Sequence, residues 1–195
     1  IELGEAAFYG PKIDIYVSDA LGRRWQCATV QLDFVQPERF GLEYIDDEGQ
    51  KQRPAMIHKA ILGSIERFLS VYIEHTGGRF PVWLAPEQLR IIQVKDTAPI
   101  IDFVEQLQKK AREHGLRVTV DDSNESVGKK IRSAELWKVP YTLVIGEKEV
   151  EHGMLSPRVR SDLAVLGEVE RSYDTDQLLK SIANEARARA SKSSL

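Results

Sequence analysis

The spacing of hydrophobic positions changes near the middle of the chain. Up to about residue 77, apolar and polar residues alternate, as in half-buried strands, and one segment of helical period follows. From Gln88 onward, continuous apolar runs alternate with helical segments, which is typical of a sheet covered by helices. The pattern predicts two domains, residues 1–84 and 85–195, with the proline-bracketed segment 80–86 as linker or last strand of the first.

The first half predicts an antiparallel sheet followed by one helix. The helix covers Gly63–Thr76 and ends at a glycine pair. The predicted strands are Ile13–Val17, Arg23–Phe34, Leu42–Ile45 and Gln52–His58, of which the first two form a hairpin.

One face of the second predicted strand is polar. Such a face is either a solvated edge or the floor of a polar pocket, and bulky apolar residues elsewhere in the strand favour the pocket. Strict alternation places Cys27, Thr29, Gln31 and Asp33 on this face, and Gln26, Ala28 and Val30 on the other.

The second half predicts a small α/β domain with a mixed sheet. Asp174 or Thr175 is the expected N-cap of the last helix, and the polar tail 190–195 is expected to fray. The predicted strands are Leu89–Val94, Leu116–Val120, Tyr141–Ile145, Met154–Arg160 and Leu163–Val169, and the predicted helices are Ala98–His114, Ser126–Trp137 and Asp174–Arg189.

Composition narrows the possible partners and compartments. The net charge of −3 provides no global basic field, so a polyanion would have to meet local clusters. The single cysteine, Cys27, excludes an internal disulfide and fits a reducing compartment, so we expect a cytoplasmic protein. No apolar run approaches the roughly 18 residues of a membrane helix, so no membrane partner is expected. Because the chain begins at Ile1, we expect a preceding part of a longer protein.

The stretch Arg53–Phe68 joins a strand to a helix through a glycine–serine break. Gly63 permits close backbone approach, the first helical turn offers N–H donors to an anion, and Arg67 can pair with phosphate or stack on a ring. This spacing hints at a nucleotide site, although a core strand leading into a core helix is the commoner explanation.

Three further features are compatible with a chemical role but do not require one. Cys27 and His58 are zinc-ligand types, but their spacing matches no short zinc motif, and a buried thiol with a hydrogen-bonded histidine is commoner. The turn Tyr9–Lys12 is either a plain surface turn or one side of the polar pocket. In the pocket, Lys12 would reach an anionic substrate group and Tyr9 would lie against an apolar one. Segment 124–132 opens a helix with Lys and Arg residues that either contact RNA or form a solvated helix face.

Four motifs together resemble the threonyl-tRNA synthetases, a family of class II aminoacyl-tRNA synthetases. The segments FYGPKID, WQCATVQLDF, MIHKAILGSIERF and WLAP occur in that family's order and spacing, and the likeness runs along the full chain. GSIERF resembles class II motif 3. The resemblance implies the α+β antiparallel sheet of a partial class II catalytic domain, followed by a small α/β mixed-sheet anticodon-binding domain.

The resemblance also implies an activity and its partners. The family forms threonyl-adenylate from threonine and ATP with Mg²⁺ and transfers threonine to tRNA(Thr), and its members are expected to be homodimers. Motifs 1 and 2 are not found in this sequence, so we expect the chain alone to be inactive. Two hypotheses compete with this one: a non-catalytic module that binds a tRNA anticodon, and a stable α/β protein whose polar strand is a solvated edge.

Individual roles are implied by the matched motifs. His58 matches a zinc ligand, with two further Zn²⁺ ligands expected upstream, and Cys27 becomes a pocket residue rather than a ligand. Alternation makes the direct role of Gln26 less secure. The implied sets are Arg67 and Lys12 for catalysis, Tyr9, Lys12, Gln31 and Cys27 for threonine, Gln26, Thr29, Gly63, Ser64 and Arg67 for ATP, and Asn124, Glu149 and Arg158 for the anticodon.

Overall fold

The computed structural model describes residues 4, 6–164 and 172–195. The chain divides into two units, Ile1–Gly77 and Gly78–Leu195. The observed boundary, after Gly77, lies earlier in the chain than the predicted boundary between residues 84 and 85. Val82 explains the difference, because it is fully buried in the hydrophobic core of the second unit. Segment 80–86 is therefore neither a linker nor a strand of the first unit.

The first unit is built on a three-stranded antiparallel sheet in the order β1-β2-β5. Strands β3 and β4 form a separate, two-stranded antiparallel sheet. The elements are β1 (Lys12–Ser18), β2 (Arg24–Asp33), α1 (Val35–Arg39), β3 (Tyr44–Ile45), β4 (Lys51–Gln52), β5 (Met56–Ala60) and α2 (Ile65–Thr76).

The predicted strand Gln52–His58 is two strands in the structure. β4 pairs with β3, whereas β5 pairs with β2. Pro54 lies between them, and a proline has no N–H to donate to a strand ladder. The short helix α1 was not predicted either, because its segment contains Pro37 and reads as a strand break.

Helix α2 begins two residues later than predicted because Gly63 and Ser64 form its cap. The Ser64 hydroxyl accepts a hydrogen bond from the Arg67 backbone N–H at 3.4 Å. The helix ends at Gly77, whose φ of 57° lies in the left-handed region that glycine adopts readily. Both boundaries therefore have a local cause in the sequence.

The first unit buries little apolar surface within the part of the chain that the structure describes. Cys27 is its only buried residue of a hydrophobic type, and Ile13, Ile57 and Ile65 are each more than 60% exposed. A groove of about 900 Å³ separates β1 and β2 from α2. The predicted sheet is present, but it is not closed around a core.

The second unit has a four-stranded mixed sheet in the order β10-β8-β6-β7, as predicted for an α/β domain. β6 is parallel to both β7 and β8, and β10 is antiparallel to β8. The elements are β6 (Leu89–Gln93), α3 (Ala98–Glu113), β7 (Val118–Asp121), α4 (Val127–Leu136), β8 (Tyr141–Ile145), α5 (Glu147–His152), β9 (Met154–Leu155), β10 (Arg158–Val159), β11 (Tyr173–Asp174) and α6 (Thr175–Ala188).

One contiguous hydrophobic core fills the second unit. Ile91, Leu107, Leu143 and Leu178 represent the strands and helices that contribute to it, each at most 2% exposed. Such a core stabilises the fold through the apolar surface that it removes from water. None of the helices in the described ranges combines the length and apolar character needed to cross a membrane.

Three predictions for the second unit need correction or fall outside the structure, and the helix α5 was not predicted. The predicted strand Met154–Arg160 is two strands in different sheets, since β9 pairs with β11 and β10 pairs with β8. The tail is not frayed, because Ser193 and Leu195 are buried and the Ser193 N–H donates to the Leu163 carbonyl at 2.9 Å. The predicted strand Leu163–Val169 begins in a turn and then lies outside the described residues.

Candidate functional site

Three predicted site residues form one row across the sheet of the first unit. Lys12 on β1 pairs with Gln31 on β2, and Gln31 pairs with His58 on β5. Tyr9 joins the row from the preceding turn: its hydroxyl donates to Gln31 Oε1 at 2.9 Å, and its ring centroid lies 6.0 Å from that of His58. Four residues from three separate parts of the sequence thus share one face of the sheet.

The turn that carries Tyr9 is bonded to β2 through its backbone. The Leu32 N–H donates to Pro11 O at 3.0 Å, and the Phe34 N–H donates to Tyr9 O at 3.1 Å. A side chain at Gly10 would collide with the Leu32 carbonyl oxygen, so the close approach requires glycine. These contacts hold the Tyr9 ring above Gln31.

A carboxylate that the sequence did not single out lies beside the row. Asp14 Oδ2 is 2.8 Å from Lys12 Nζ, and Gln26 Nε2 donates to Asp14 Oδ1 at 2.7 Å. The hydrogen bond from Lys12 lowers the pKa of Asp14 below its usual value, and the polar side chains of Thr29 and Gln26 add to this effect. Lys12 and Asp14 are two residues apart on one strand, and this spacing was the available signal.

A β-bulge at Cys27 makes the predicted face assignment of two residues wrong. Ile15 pairs with Ala28 but Tyr16 pairs with Gln26, so Cys27 has no partner on β1. The extra residue shifts the alternation, and Gln26 therefore shares the face of Asp14. Cys27 is buried and lines the groove toward α2 with Ile15 and Ala28, away from the polar row.

His58 is paired with a second carboxylate, Asp33 at the end of β2. Their Nε2 and Oδ2 atoms are 2.8 Å apart. Burial alone would raise the pKa of Asp33, but N–H donors from Gln36, His58 and Val35 outweigh burial and lower that pKa below its usual value. The polar alternation of β2 placed Asp33 on this face but gave no reason to link it to His58.

The fit to a zinc ion is partial within the described residues. A histidine that gives one ring nitrogen to a carboxylate and keeps the other free is the usual arrangement of a zinc ligand. No group of three or more Cys, His, Asp or Glu residues that could hold a metal is present in the described ranges. His58 is thus a suitable single ligand, and Cys27 does not accompany it.

The predicted ATP residues at the start of α2 have mostly structural contacts. The Ser64 hydroxyl caps the helix and donates to Glu66 Oε2 at 2.6 Å. Gly63 has a φ of 61°, and a Cβ there would lie 3.2 Å from the Cys27 carbonyl oxygen, so its close approach is to β2. Arg67 is exposed, donates from Nη1 to Gln26 O at 3.1 Å, and has its guanidinium carbon 5.9 Å from the Trp25 ring centroid.

In the second unit, two predicted RNA-contacting residues follow the carboxyl ends of parallel strands. Asn124 is exposed in the loop after β7. Glu149 lies on α5, directly after β8, and its Oε2 accepts the Gly146 N–H at 2.9 Å. A cavity of about 240 Å³ lies where β6 and β8 end and includes Glu149 in its lining. Ligands of α/β sheets bind preferentially at this edge.

Arg158 occupies a different position from Asn124 and Glu149. It lies on β10 opposite Thr142, which is near the amino end of β8 rather than the carboxyl end. Its side chain is exposed, and Nη2 is 3.8 Å from Glu135 Oε1. Contacts to one nucleotide from all three predicted residues would therefore have to bridge the length of β8.

The predicted cluster of cations on α4 is not uniformly available to phosphates. Lys130 is only 5% exposed, and its Nζ donates to Gln93 O at 2.9 Å and Asp121 O at 3.2 Å. These carbonyls end β6 and β7, so Lys130 ties the two strands together. Lys129 is exposed and pairs with Glu125 at 2.6 Å.

Two family models match successive parts of the chain. The model of the class II tRNA synthetase core domain (G, H, P, S and T) matches residues 2–76, and the model of the anticodon binding domain matches residues 88–183. Their order agrees with the order of the two units.

Curated relatives extend the similarity along nearly the whole chain. The chain is 51% identical over 188 residues to the threonine–tRNA ligase of Geobacter sp. strain M21, and 48% identical over 183 residues to that of Caldanaerobacter subterraneus subsp. tengcongensis. The matches cover 96% and 94% of this chain, respectively, but only 28% of each relative. The chain therefore spans little more than a quarter of the length of these relatives.

Solved structures give the same family. The chain matches a structure described as the RNA binding domain of threonyl-tRNA synthetase from Cryptosporidium parvum Iowa II, with a TM-score of 0.79 and 39% identity, over 93% of this chain and 44% of that one. A prolyl-tRNA synthetase from Cryptosporidium parvum, at 21% identity and a TM-score of 0.64, shares the fold alone. The chain belongs to the threonyl-tRNA synthetase family of class II aminoacyl-tRNA synthetases.

Proposed function

We propose that this chain supplies one wall of the amino-acid activation site of a threonine–tRNA ligase, together with its anticodon-reading domain. The row of Lys12, Gln31 and His58, with Tyr9 bonded to Gln31, carries the proposal. It brings a cation, an amide, a phenol and an imidazole to one face of a rigid sheet. A small polar amino acid can be held there by several directional contacts, as a specific site requires.

The proposed reaction needs positioning more than a protein nucleophile. A carboxylate oxygen of threonine bonds to the α-phosphorus of ATP, the bond from that phosphorus to the bridging oxygen breaks, and pyrophosphate leaves. A terminal hydroxyl of tRNA then attacks the threonyl carbonyl carbon and releases AMP. Both steps are accelerated by orientation and by cations near developing negative charge. Lys12 and Arg67 are the cations that we assign to this task.

Arg67 is the residue assigned to ATP. Its guanidinium is exposed at the start of α2 and is planar, so it can stack on an adenine or pair with a phosphate. Gln26 is assigned to the same ligand because the bulge turns it onto the polar face. The magnesium ion that accompanies ATP would neutralise phosphate charge.

The residues near His58 fit a role in selecting threonine. A hydrophobic pocket separates threonine poorly from the isosteric valine. A zinc ion held partly by His58 would offer an open position to the amino and hydroxyl groups of threonine, and valine lacks the hydroxyl. Tyr9 and Gln31 stand beside His58 and are assigned to orient the amino acid.

The second unit is assigned to the anticodon of tRNA(Thr). Asn124 and Glu149 supply amide and carboxylate groups at one edge of the sheet, and such groups read the edges of unstacked bases. Arg158 is exposed on β10 and can contact phosphate or base. A protein of this kind acts on tRNA in the cytoplasm and is proposed to do so as a homodimer.

A chimeric enzyme tests the proposed activity. This chain replaces the matching residues of the Geobacter threonine–tRNA ligase, and charging of tRNA(Thr) with threonine is measured. We expect charging, and we expect Arg67→Ala to lower kcat/KM about 100-fold because a cation beside the phosphates is lost. Arg53→Ala, which removes another exposed arginine of the first unit, is the control. A chimera that folds but charges no tRNA contradicts the proposal.

A second candidate is an anticodon-binding module without catalysis. The observation that favours it is the complete hydrophobic core of the second unit, which the first unit lacks in its described part. Binding of tRNA(Thr) by this chain, measured against salt concentration, addresses it. The module would bind with a steep salt dependence and lose base preference in Arg158→Ala. Equal affinity for all tRNAs would exclude anticodon reading.

A further inference from the structure

Asp33 is a buried carboxylate whose bonding is arranged around His58. It is fully buried at the end of β2. Its Oδ1 accepts the backbone N–H groups of Val35 and Gln36, each at 2.9 Å, and its Oδ2 lies 2.8 Å from His58 Nε2. The two backbone bonds fix the carboxylate, so the oxygen that faces His58 has a set direction.

The bonding of Asp33 determines which ring nitrogen of His58 carries the proton. An ionised carboxylate can only accept hydrogen bonds, so Nε2 must be the donor in this pair. A neutral imidazole then keeps its lone pair on Nδ1. Among the described residues, no protein group is hydrogen-bonded to Nδ1, and the His58 side chain is 36% exposed. The nitrogen that can ligate a metal is therefore the one that the described residues leave without a hydrogen bond.

We propose that Asp33 is a positioning residue that holds His58 in the Nε2–H tautomer, so that Nδ1 is the zinc-binding atom. The inference rests on the proposed function, because it needs His58 to be a metal ligand. Carboxylates that accept the second N–H of a ligating histidine fix its tautomer and ring orientation and increase its basicity as a ligand. Asp33 thereby contributes to threonine selection without touching the amino acid.

The competing explanation is that the pair only joins β5 to the start of α1. A purely structural bond would be satisfied by either tautomer with a suitable partner. Zinc binding by the variant Asp33→Asn separates the two, because only the positioning role predicts that the variant binds zinc more weakly. Its amide oxygen is retained by the two backbone N–H groups, which leaves the NH₂ facing Nε2. An amide NH₂ can only donate, so His58 would move its proton to Nδ1 and lose the free lone pair there.

Nuclear magnetic resonance of ¹⁵N-histidine-labelled protein measures the tautomer directly. The full 195-residue chain is studied at a pH at which the rings are neutral, and His58→Gln identifies the signal of His58 among the four histidines. We expect Nε2–H in the unaltered chain and Nδ1–H in Asp33→Asn. The control is Asp19→Asn, which alters another buried aspartate that accepts two backbone N–H groups and one ring N–H. The control should leave the tautomer unchanged.

Titration of the metal-free chimeric ligase with ZnCl₂ links the tautomer to the metal, because the upstream part of that ligase is expected to supply the other two ligands. We expect zinc to shift the Nδ1 resonance of His58 in this chimera and to require 10- to 100-fold more metal when the chimera carries Asp33→Asn. An Nδ1–H tautomer in the unaltered chain overturns the inference even if Asp33→Asn fails to fold, and so does zinc binding through Nε2. The expected tautomer with no response of His58 to zinc instead contradicts the zinc part of the proposed function.

Discussion

At the residue scale, three aspartates organise the first unit: Asp14, Asp19 and Asp33. Each accepts several N–H donors, and the pKa of each lies below its usual value. Period-two alternation along the second strand placed Thr29, Gln31 and Asp33 on one face, because alternation depends only on chain geometry. It did not reveal the carboxylates as partners, because their donors come from other strands and from turn backbones.

Asp19 provides a test of this carboxylate chemistry through pH. Bonds from Trp25 and then from Arg23 and Leu21 lower its pKa from 3.8 to about 2. Because the pKa falls on folding, the ionised form stabilises the unit fully above about pH 4, and this stabilisation is lost as the pH falls toward 2. At pH 7 we expect Asp19→Asn to unfold at a lower urea concentration than the unaltered chain. Between pH 5 and pH 2 the urea midpoint of the variant should fall less than that of the unaltered chain.

Trp25 fluorescence, in chains that carry Trp83→Phe and Trp137→Phe, measures this unfolding locally, because the Trp25 indole N–H donates to Asp19 at 2.9 Å. Asp47→Asn, an exposed aspartate in the β3–β4 turn, serves as the control and should leave the acid dependence unchanged. Equal acid dependence in the Asp19→Asn variant and the unaltered chain would contradict the assignment.

Lys130 and Lys129 are neighbours with opposite expected contributions to the second unit. Lys130→Met leaves the carbonyls of Gln93 and Asp121 unpaired in a buried place, which should lower the free energy of unfolding by about 1–3 kcal/mol. Lys129→Met removes an exposed ion pair and should lower it by less than about 1 kcal/mol. Urea unfolding followed by circular dichroism compares them, and equal losses would contradict the clamp role of Lys130.

At the element scale, the β-bulge at Cys27 decides which face several residues share. Strict alternation assigned Gln26 to the wrong face because a bulge adds one residue and leaves no mark in the hydrophobic pattern. Pro54 and the Ser64 cap of α2 carried sequence signals that the prediction did not use, whereas the glycine pair that ends α2 was used. The three longer strands, the three longer helices and the mixed sheet of the second unit were predictable because their apolar runs are long, whereas the short elements α5 and β11 were not.

The turn before β1 is the element on which the position of Tyr9 depends. Gly10→Ala adds a Cβ that collides with the Leu32 carbonyl oxygen, so the turn must move away from β2. Gly49→Ala is the matched control: Gly49 has a φ of 78° but no atom near its Cβ position, so it carries only the backbone cost of roughly 1–2 kcal/mol. We expect Gly10→Ala to lower the midpoint of urea unfolding of the first unit more than Gly49→Ala does. An equal or smaller decrease would contradict this role of the turn.

At the scale of the whole molecule, the two units differ in how they bury apolar surface. The second unit encloses a contiguous core that includes Val82, Tyr141 and Leu178. In the described part of the first unit, only Cys27 among the hydrophobic residue types is buried. Burial of apolar surface therefore stabilises the second unit far more than the first.

This difference predicts how the two units behave when they are produced separately. Residues 78–195 should unfold on heating in a sharp transition, whereas residues 1–77 should unfold at a lower temperature and over a broader range because they bury little apolar surface. Circular dichroism during a thermal scan distinguishes the two. A transition of residues 1–77 that is as sharp and as high in temperature as that of residues 78–195 would contradict this difference in burial.

The most direct test of the proposed threonine site is threonine-dependent exchange of pyrophosphate into ATP by the chimeric ligase. We compare Gln31→Leu, which removes the amide between Tyr9 and His58, with Gln50→Leu in the exposed β3–β4 turn. We predict exchange in the chimera, a loss of about tenfold or more in kcat/KM for threonine in Gln31→Leu, and no change in Gln50→Leu. Exchange that is unaffected by Gln31→Leu would show that the row across the sheet does not hold threonine.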